Sequence, residues 1–196
     1  GLDPDALRYY LTAQAPEAAR TAFDPEDFVT RNNSELVAAF GNFVNRALTF
    51  AARYFEGRVP DPAAQTDADR AHLAQADEAL RKVGACLAEH RFRNGLEELM
   101  AYARVCNEYF SVRAPWSSRK DNLADCAATI ATCIHAIEYL TVMCWPFMPG
   151  AACKLQRMLG RPADTIHWAA PRPPACGTPL GEPTILFAKL EPGALG

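Results

Sequence analysis

Asn42 and Arg46 stand four residues apart inside a helical pattern, and Pro115-Trp116 follows about seventy residues later. Residues four apart lie on one face of a helix, about one turn up. The first pair therefore sets an amide beside a guanidinium. Trp116 sets an indole beside a proline, where a helix must stop. An amide offers a donor and an acceptor together. A guanidinium offers parallel donors in a geometry that lysine cannot reproduce. With a flat ring beside them, these are the groups that hold an unstacked RNA base and read its edge. Asn45 lies one position off this face and reads as a structural hydrogen-bonding residue. Arg53, Arg113, Arg119 and Lys120 are the cations placed for phosphate contact.

Other chemistries find little support. His135 sits in an apolar helical stretch and reads as a core histidine with its hydrogen bond satisfied. His72, His90 and His167 have no Cys or His at ligand spacing, so no metal site is expected. Ser117-Ser118 reads as a cap or turn. No Ser/His/Asp or Cys/His set has a spacing that suggests a nucleophile. There is no Gly-rich phosphate loop. The seven cysteines are odd in number and form no CxxC, which reads as buried free thiols in a reducing cytosol.

The elements that must position these groups are helical. Apolar residues make up 49% of the 196, enough for a sizeable core. The formal net charge of −3 argues against binding by bulk phosphate neutralisation and leaves room for a local basic face. That face would draw on Arg46, Arg53, Arg58, Arg91, Arg93, Arg113, Arg119 and Lys120. The most apolar stretch, 130–147, carries His135 and Glu138 and reads as a buried helix rather than a membrane span. The chain opens on Gly1 without an initiator Met or a signal peptide, which suggests a piece of something longer.

Pattern and punctuation predict helices over 5–13, from Asp24-Pro25 to about Phe55, from Thr66 or Asp67 to about His90, over 93–113, from Asp121 to about Cys144, and from Pro149 to about Leu159. Gly57 to Pro62 reads as a linker. From Gly160 onward Pro is frequent and periodicity is lost, so 161–196 reads as an extended tail anchored by Trp168 and Ile185-Leu186-Phe187. The expected fold is all-α: an antiparallel bundle of about five main helices over 1–160, with that tail packed on it or on a further domain.

These residues also come in a familiar order. Leu2-Asp-Pro-Asp-Ala-Leu-Arg-Tyr-Tyr-Leu11 is followed by Asp27-Phe28 with Asn33-Ser-Glu-Leu36, then Gly41-Asn-Phe-Val-Asn-Arg46 and Ala114-Pro-Trp116. Pro146-Phe-Met-Pro149, Leu180-Gly-Glu-Pro183, Leu186-Phe187 and Lys189-Leu-Glu191 complete it. The series resembles the C-terminal anticodon-binding domain of methionyl-tRNA synthetases, class I aminoacyl-tRNA synthetases, over essentially the whole chain. Ala6-Leu-Arg-Tyr-Tyr-Leu11 is shared by several class I synthetases, whereas Asn42, Arg46 and Pro115-Trp116 favour methionine.

The resemblance implies a helical bundle joined to an upstream catalytic Rossmann domain. It implies that Asn42, Arg46 and Trp116 recognise the CAU anticodon of tRNA(Met), the ring stacking on a base and Pro115 setting its position. It further implies that ATP, methionine and any zinc belong to the catalytic domain, since the HIGH and KMSKS signatures are absent from this chain. The expected parent is a cytoplasmic, monomeric methionine–tRNA ligase without a membrane partner. Two alternatives stay open on the residues: the same domain type from another class I synthetase, such as one for valine, isoleucine or cysteine, and a synthetase-derived protein-interaction scaffold.

Overall fold

In a computed structural model, residues 2–15, 22–191 and 193 are described; Gly1, Pro192 and the end of the expected tail at 194–196 lie outside the described residues. The helices are α1 (Pro4–Ala13), α2 (Pro25–Arg31), a π-helical segment π1 (Asn32–Gly41), α3 (Asn42–Tyr54), α4 (Asp67–Ala88), α5 (Phe92–Arg113), α6 (Pro115–Asp121), α7 (Leu123–Cys144) and α8 (Pro149–Met158). No strand ladder occurs among the described residues, only an isolated antiparallel bridge between Arg58 and Pro179. The all-α architecture is as expected, with two differences in detail.

The first difference lies in the long helix expected from Pro25 to Phe55. The run is continuous, but its middle ten residues are π-helical. Phe28, Asn32, Leu36, Phe40, Val44 and Leu48 are all buried at intervals of four. An α-helix turns about 100° per residue, so a step of four overshoots the stripe by about 40° each time. The wider i→i+5 turn takes up that excess and keeps the stripe on the core. The second difference is α6. Pro115 does end α5, by forcing Ala114 out of the right-handed helical region to φ 41, ψ 59. Pro is also a favoured first residue of a helix, and a new one starts there at once.

Helix α7 forms the centre. Every residue from Cys126 to Cys144 is buried, and α3, α4, α5, α6 and α8 pack against it. By length and composition it could cross a membrane, yet its apolar window lies wholly inside the bundle. Asn122 rather than Asp121 caps it, accepting from the Asp125 N–H. At α4 the cap is Thr66, in a reciprocal capping box with Asp69. Asp5 on α1 accepts from the Ala151 N–H at 2.6 Å, closing the start of α8. A side chain at Gly150 would meet that carboxylate at 2.8 Å.

The C-terminal segment lies across the bundle. Thr178 and Gly177 exchange backbone hydrogen bonds with Val59. Asn33 donates to the Leu190 carbonyl and accepts from the Leu190 N–H, and Asn32 donates to the Ala188 carbonyl. Arg161 pairs with Glu138 on α7. Burial outweighs that pairing and pushes the Glu138 carboxyl up to about 7. Leu186 and Phe187 are buried as expected anchors, and the Trp168 ring lies over Gly84. Ile185 is 75% exposed and anchors nothing.

One polar network sits inside. The fully buried Asp69 accepts from Thr66 and from the Tyr109 hydroxyl. It also pairs with Arg113 at 3.2 Å. Arg113 reaches Asp125 as well and donates to Thr129. The His72 imidazole stacks on Tyr109, with ring centres 4.1 Å apart and planes 7° apart. Of the seven free cysteines, Cys86, Cys106, Cys126, Cys133 and Cys144 are buried, Cys153 is partly so, and Cys176 is exposed.

Two outcomes follow from this network. Arg113→Ala leaves Asp69 buried without its cation, and chemical denaturation should show a loss of about 3–5 kcal/mol. Burial drives His72 down to about 4 against the pull of Asp69. Above its ordinary value the ring is neutral in both folded and unfolded chains. Below it the unfolded chain gains a proton that the fold refuses, so stability falls between about pH 6.5 and 4. His72→Phe keeps a stacked ring without a proton. The wild-type unfolding free energy, measured against it, should drop by about 1–3 kcal/mol across that window.

Candidate nucleic-acid interface

Three elements meet at one end of the bundle: the start of α3, the last turn of α5 and the start of α6. Their meeting follows from local sequence. The apolar stripe of π1 and α3 turns Phe43, Val44, Ala47 and Leu48 inward, which leaves Asn42 and Arg46 on the outer flank. Ala114, in the left-handed region, is both the end of α5 and the start of α6, so the chain turns there from one helix into the next without a linker. Pro115 is buried, and its carbonyl accepts from the Cys126 thiol at 3.4 Å, tying α6 to α7. Trp116 then projects beside α5.

The guanidinium carbon of Arg46 lies 4.5 Å from the centre of the Phe110 ring and 5.7 Å from that of Trp116. Its Nη1 donates to the Ser111 hydroxyl at 3.4 Å. The Phe110 and Trp116 rings are 6.0 Å apart and inclined by 46°. Phe110 is buried and meets Phe43 edge-on at 6.5 Å, so the floor is part of the packed core. Trp116 keeps 47% of its surface exposed. A cation against aromatic faces is attracted by their quadrupole. Here it also holds a long side chain in one place beside an open ring. Asn42, exposed on the same flank, donates from Nδ2 to Asn107 Oδ1 at 3.2 Å.

Asn42, Arg46, Pro115 and Trp116 therefore share one surface, although about seventy residues separate the two pairs. The cations divide. Arg119 lies over the Tyr54 ring at 4.3 Å and the exposed Arg53 over the same ring at 5.2 Å, extending a basic strip along α3 and α6. Lys120 is exposed on α6. Arg113 does not join them. Its guanidinium is occupied by Asp69 and Asp125 inside the bundle, since α5 turns that residue towards α4 and α7. Arg58, Arg91 and Arg93 are engaged elsewhere, with the Gly177 carbonyl, Glu89 and Glu97.

Asn45 accepts from the Thr49 hydroxyl within α3. His135 bonds the Pro171 carbonyl from the core, and burial lowers its pKa. Ser117 and Ser118 lie in the first turn of α6. Among the described residues, no group of three His, Cys, Asp or Glu could hold a metal ion. Phe110, Ser111 and Asn107 were not legible as site residues from spacing alone. Asn107 had one signal: it follows Leu99 and Ala103 at intervals of four on the buried face of α5, a polar residue in an apolar stripe.

A family model described as the anticodon-binding domain of methionyl tRNA ligase matches residues 59–193, and one for class I tRNA synthetases (M) matches residues 1–48. The methionine–tRNA ligase of Thermococcus onnurineus is 38% identical over 186 residues, 95% of this chain and 25% of that protein. That of Salinibacter ruber is 38% identical over 205 residues, 96% of this chain and 29% of the relative. The apo crystal structure of Mycobacterium tuberculosis methionyl-tRNA synthetase superimposes with a TM-score of 0.91 at 31% identity, over 97% of this chain and 40% of that one. The chain thus spans about a quarter of the length of the curated relatives it matches. With the helical bundle and the Asn42–Arg46–Trp116 surface in place, the chain belongs to the anticodon-binding domain family of the methionyl-tRNA ligases.

Proposed function

We propose that this chain reads the CAU anticodon loop of tRNA(Met) through Asn42, Arg46 and Trp116. The observation that carries the reading is the Arg46 guanidinium held against Phe110 and beside a half-exposed Trp116. The open face of the indole takes a loop base, a stack of about 1–3 kcal/mol. Arg46 and Asn42 meet a base edge, and each correct contact discriminates by about 1–3 kcal/mol, by analogy with groove readout. Two or three such contacts suffice without a strongly basic domain, in keeping with a net charge of −3. Arg53, Arg119 and Lys120 hold the loop phosphates, whereas Arg113 holds the bundle together. In the parent protein a separate catalytic domain joins methionine to the tRNA with ATP. This chain supplies tRNA selection for that reaction, in the cytosol and within a monomeric enzyme.

The test is binding of this chain to an anticodon stem-loop with CAU, against loops changed at one anticodon base. The wild type should prefer CAU, and Trp116→Ala and Arg46→Ala should weaken it roughly tenfold or more while remaining folded. Equal binding of every loop, indifferent to both substitutions, would refute the reading. Arg53→Ala should weaken all loops alike and flatten the salt dependence, lowering the log–log slope by about 0.7.

A further inference from the structure

Two backbone carbonyls converge on the side chain of Asn107. Its Nδ2 donates to the Ala39 carbonyl, in the last turn of π1, and to the Ala103 carbonyl one turn back on α5 at 3.4 Å. Near Ala39 the π segment closes, with the Asn42 N–H reaching back five residues to Val37. Carbonyls only accept, so the NH2 end of the Asn107 amide must face them. Its Oδ1 is thereby turned towards Asn42 and can only accept. Asn42 must answer with its own NH2, as it does at 3.2 Å. The orientation of one amide thus sets that of the next. What remains for the outside is the Asn42 carbonyl oxygen, an acceptor fixed in place by that bond, with the second N–H of the same amide and the donors of Arg46 beside it.

We infer that Asn107 is a positioning residue of the reader: it sets the Asn42 amide so that the surface presents an acceptor beside donors, selecting cytosine over uracil. The inference rests on the anticodon reading proposed above. Cytosine carries an amino donor where uracil carries a carbonyl acceptor. Against Asn42 Oδ1 the first gains a hydrogen bond and the second brings two oxygens together. Asn107 touches no base in this scheme; it acts through Asn42.

The experiment measures the ratio of dissociation constants for two synthetic anticodon stem-loops, CAU and UAU, with the whole chain. Asn107→Leu keeps the side chain's bulk and removes both polar ends. It should lose most of the C-over-U ratio, at least about fivefold. Asn42→Ala should lose the same amount, and the double variant no more than either alone, because both remove one contact. A merely structural Asn107 would weaken both loops equally and leave the ratio intact. Asn107→Asp keeps the oxygen that Asn42 donates to, so it should keep the ratio even if it costs stability. It also carries the test if Asn107→Leu fails to fold. A retained ratio in Asn107→Leu, a lost ratio in Asn107→Asp, or multiplying losses in the double variant would overturn the inference while leaving the anticodon reading standing. A wild type indifferent to the cytosine would remove that reading, and the inference with it.

Discussion

A helix that is apolar on every side must be surrounded, and α7 is such a helix. From Cys126 to Cys144 it has no face for solvent. Burial of a large aliphatic side chain stabilises by about 1.5–3 kcal/mol, and α7 buries Ile130, Ile134, Ile137, Leu140 and Val142. The constraint shapes everything around it. Helices α3, α4, α5, α6 and α8 each contribute one apolar stripe to its surface, so their mutual placement follows from a shared partner. The proposed base-reading surface is a by-product of that enclosure. It forms where α3, α5 and α6 reach the same end of α7 and their outward faces adjoin.

The polar interior adds direction to this apolar shell. Asp69 is a helix-capping residue of α4, a hydrogen-bond acceptor for α5 and the counter-ion of the last turn of α5. Hydrophobic contact alone would let α5 slide or rotate against α4. A buried carboxylate with fixed partners specifies one arrangement. Since Phe110 and Ser111 lie within one turn of Arg113, that arrangement is also what places the floor beneath Arg46. An interior charge network and the proposed exterior recognition surface thus share one helical turn.

Much of this was legible in the sequence, for identifiable reasons. Helix ends marked by Asp24-Pro25, Thr66 and Pro149 follow from capping chemistry that acts within a few residues, and they appear where expected. Asn42 and Arg46 were recognisable as a pair because helix geometry relates them directly. Their meeting with Trp116 came from family resemblance, since no local rule joins positions seventy apart. The π segment was hidden because a stripe at intervals of four looks helical either way. Helix α6 was hidden because Pro115 both breaks and begins a helix. Arg113 looked like a surface cation until the fold set two carboxylates beside it. Asn107 showed only as a polar residue in an apolar stripe, and two of its three partners, Ala39 and Asn42, lie outside its own helix.

The uninterrupted run from Pro25 to Tyr54 also acts as a ruler. Its first part lies against α1, where Tyr10 packs on Phe28, and against the C-terminal segment through Asn32 and Asn33. Its second part carries Asn42 and Arg46. Distance and angular phase between the two ends are set by covalent helical geometry, not by adjustable packing. One inserted residue would shift Asn42 and Arg46 by about 1.5 Å and swing them about 100° around the axis. Helix α1 is therefore held at a defined span and a defined azimuth from the proposed nucleobase contact. The π turns, by holding back the phase without a break in the rod, are the part of the ruler that sets the azimuth.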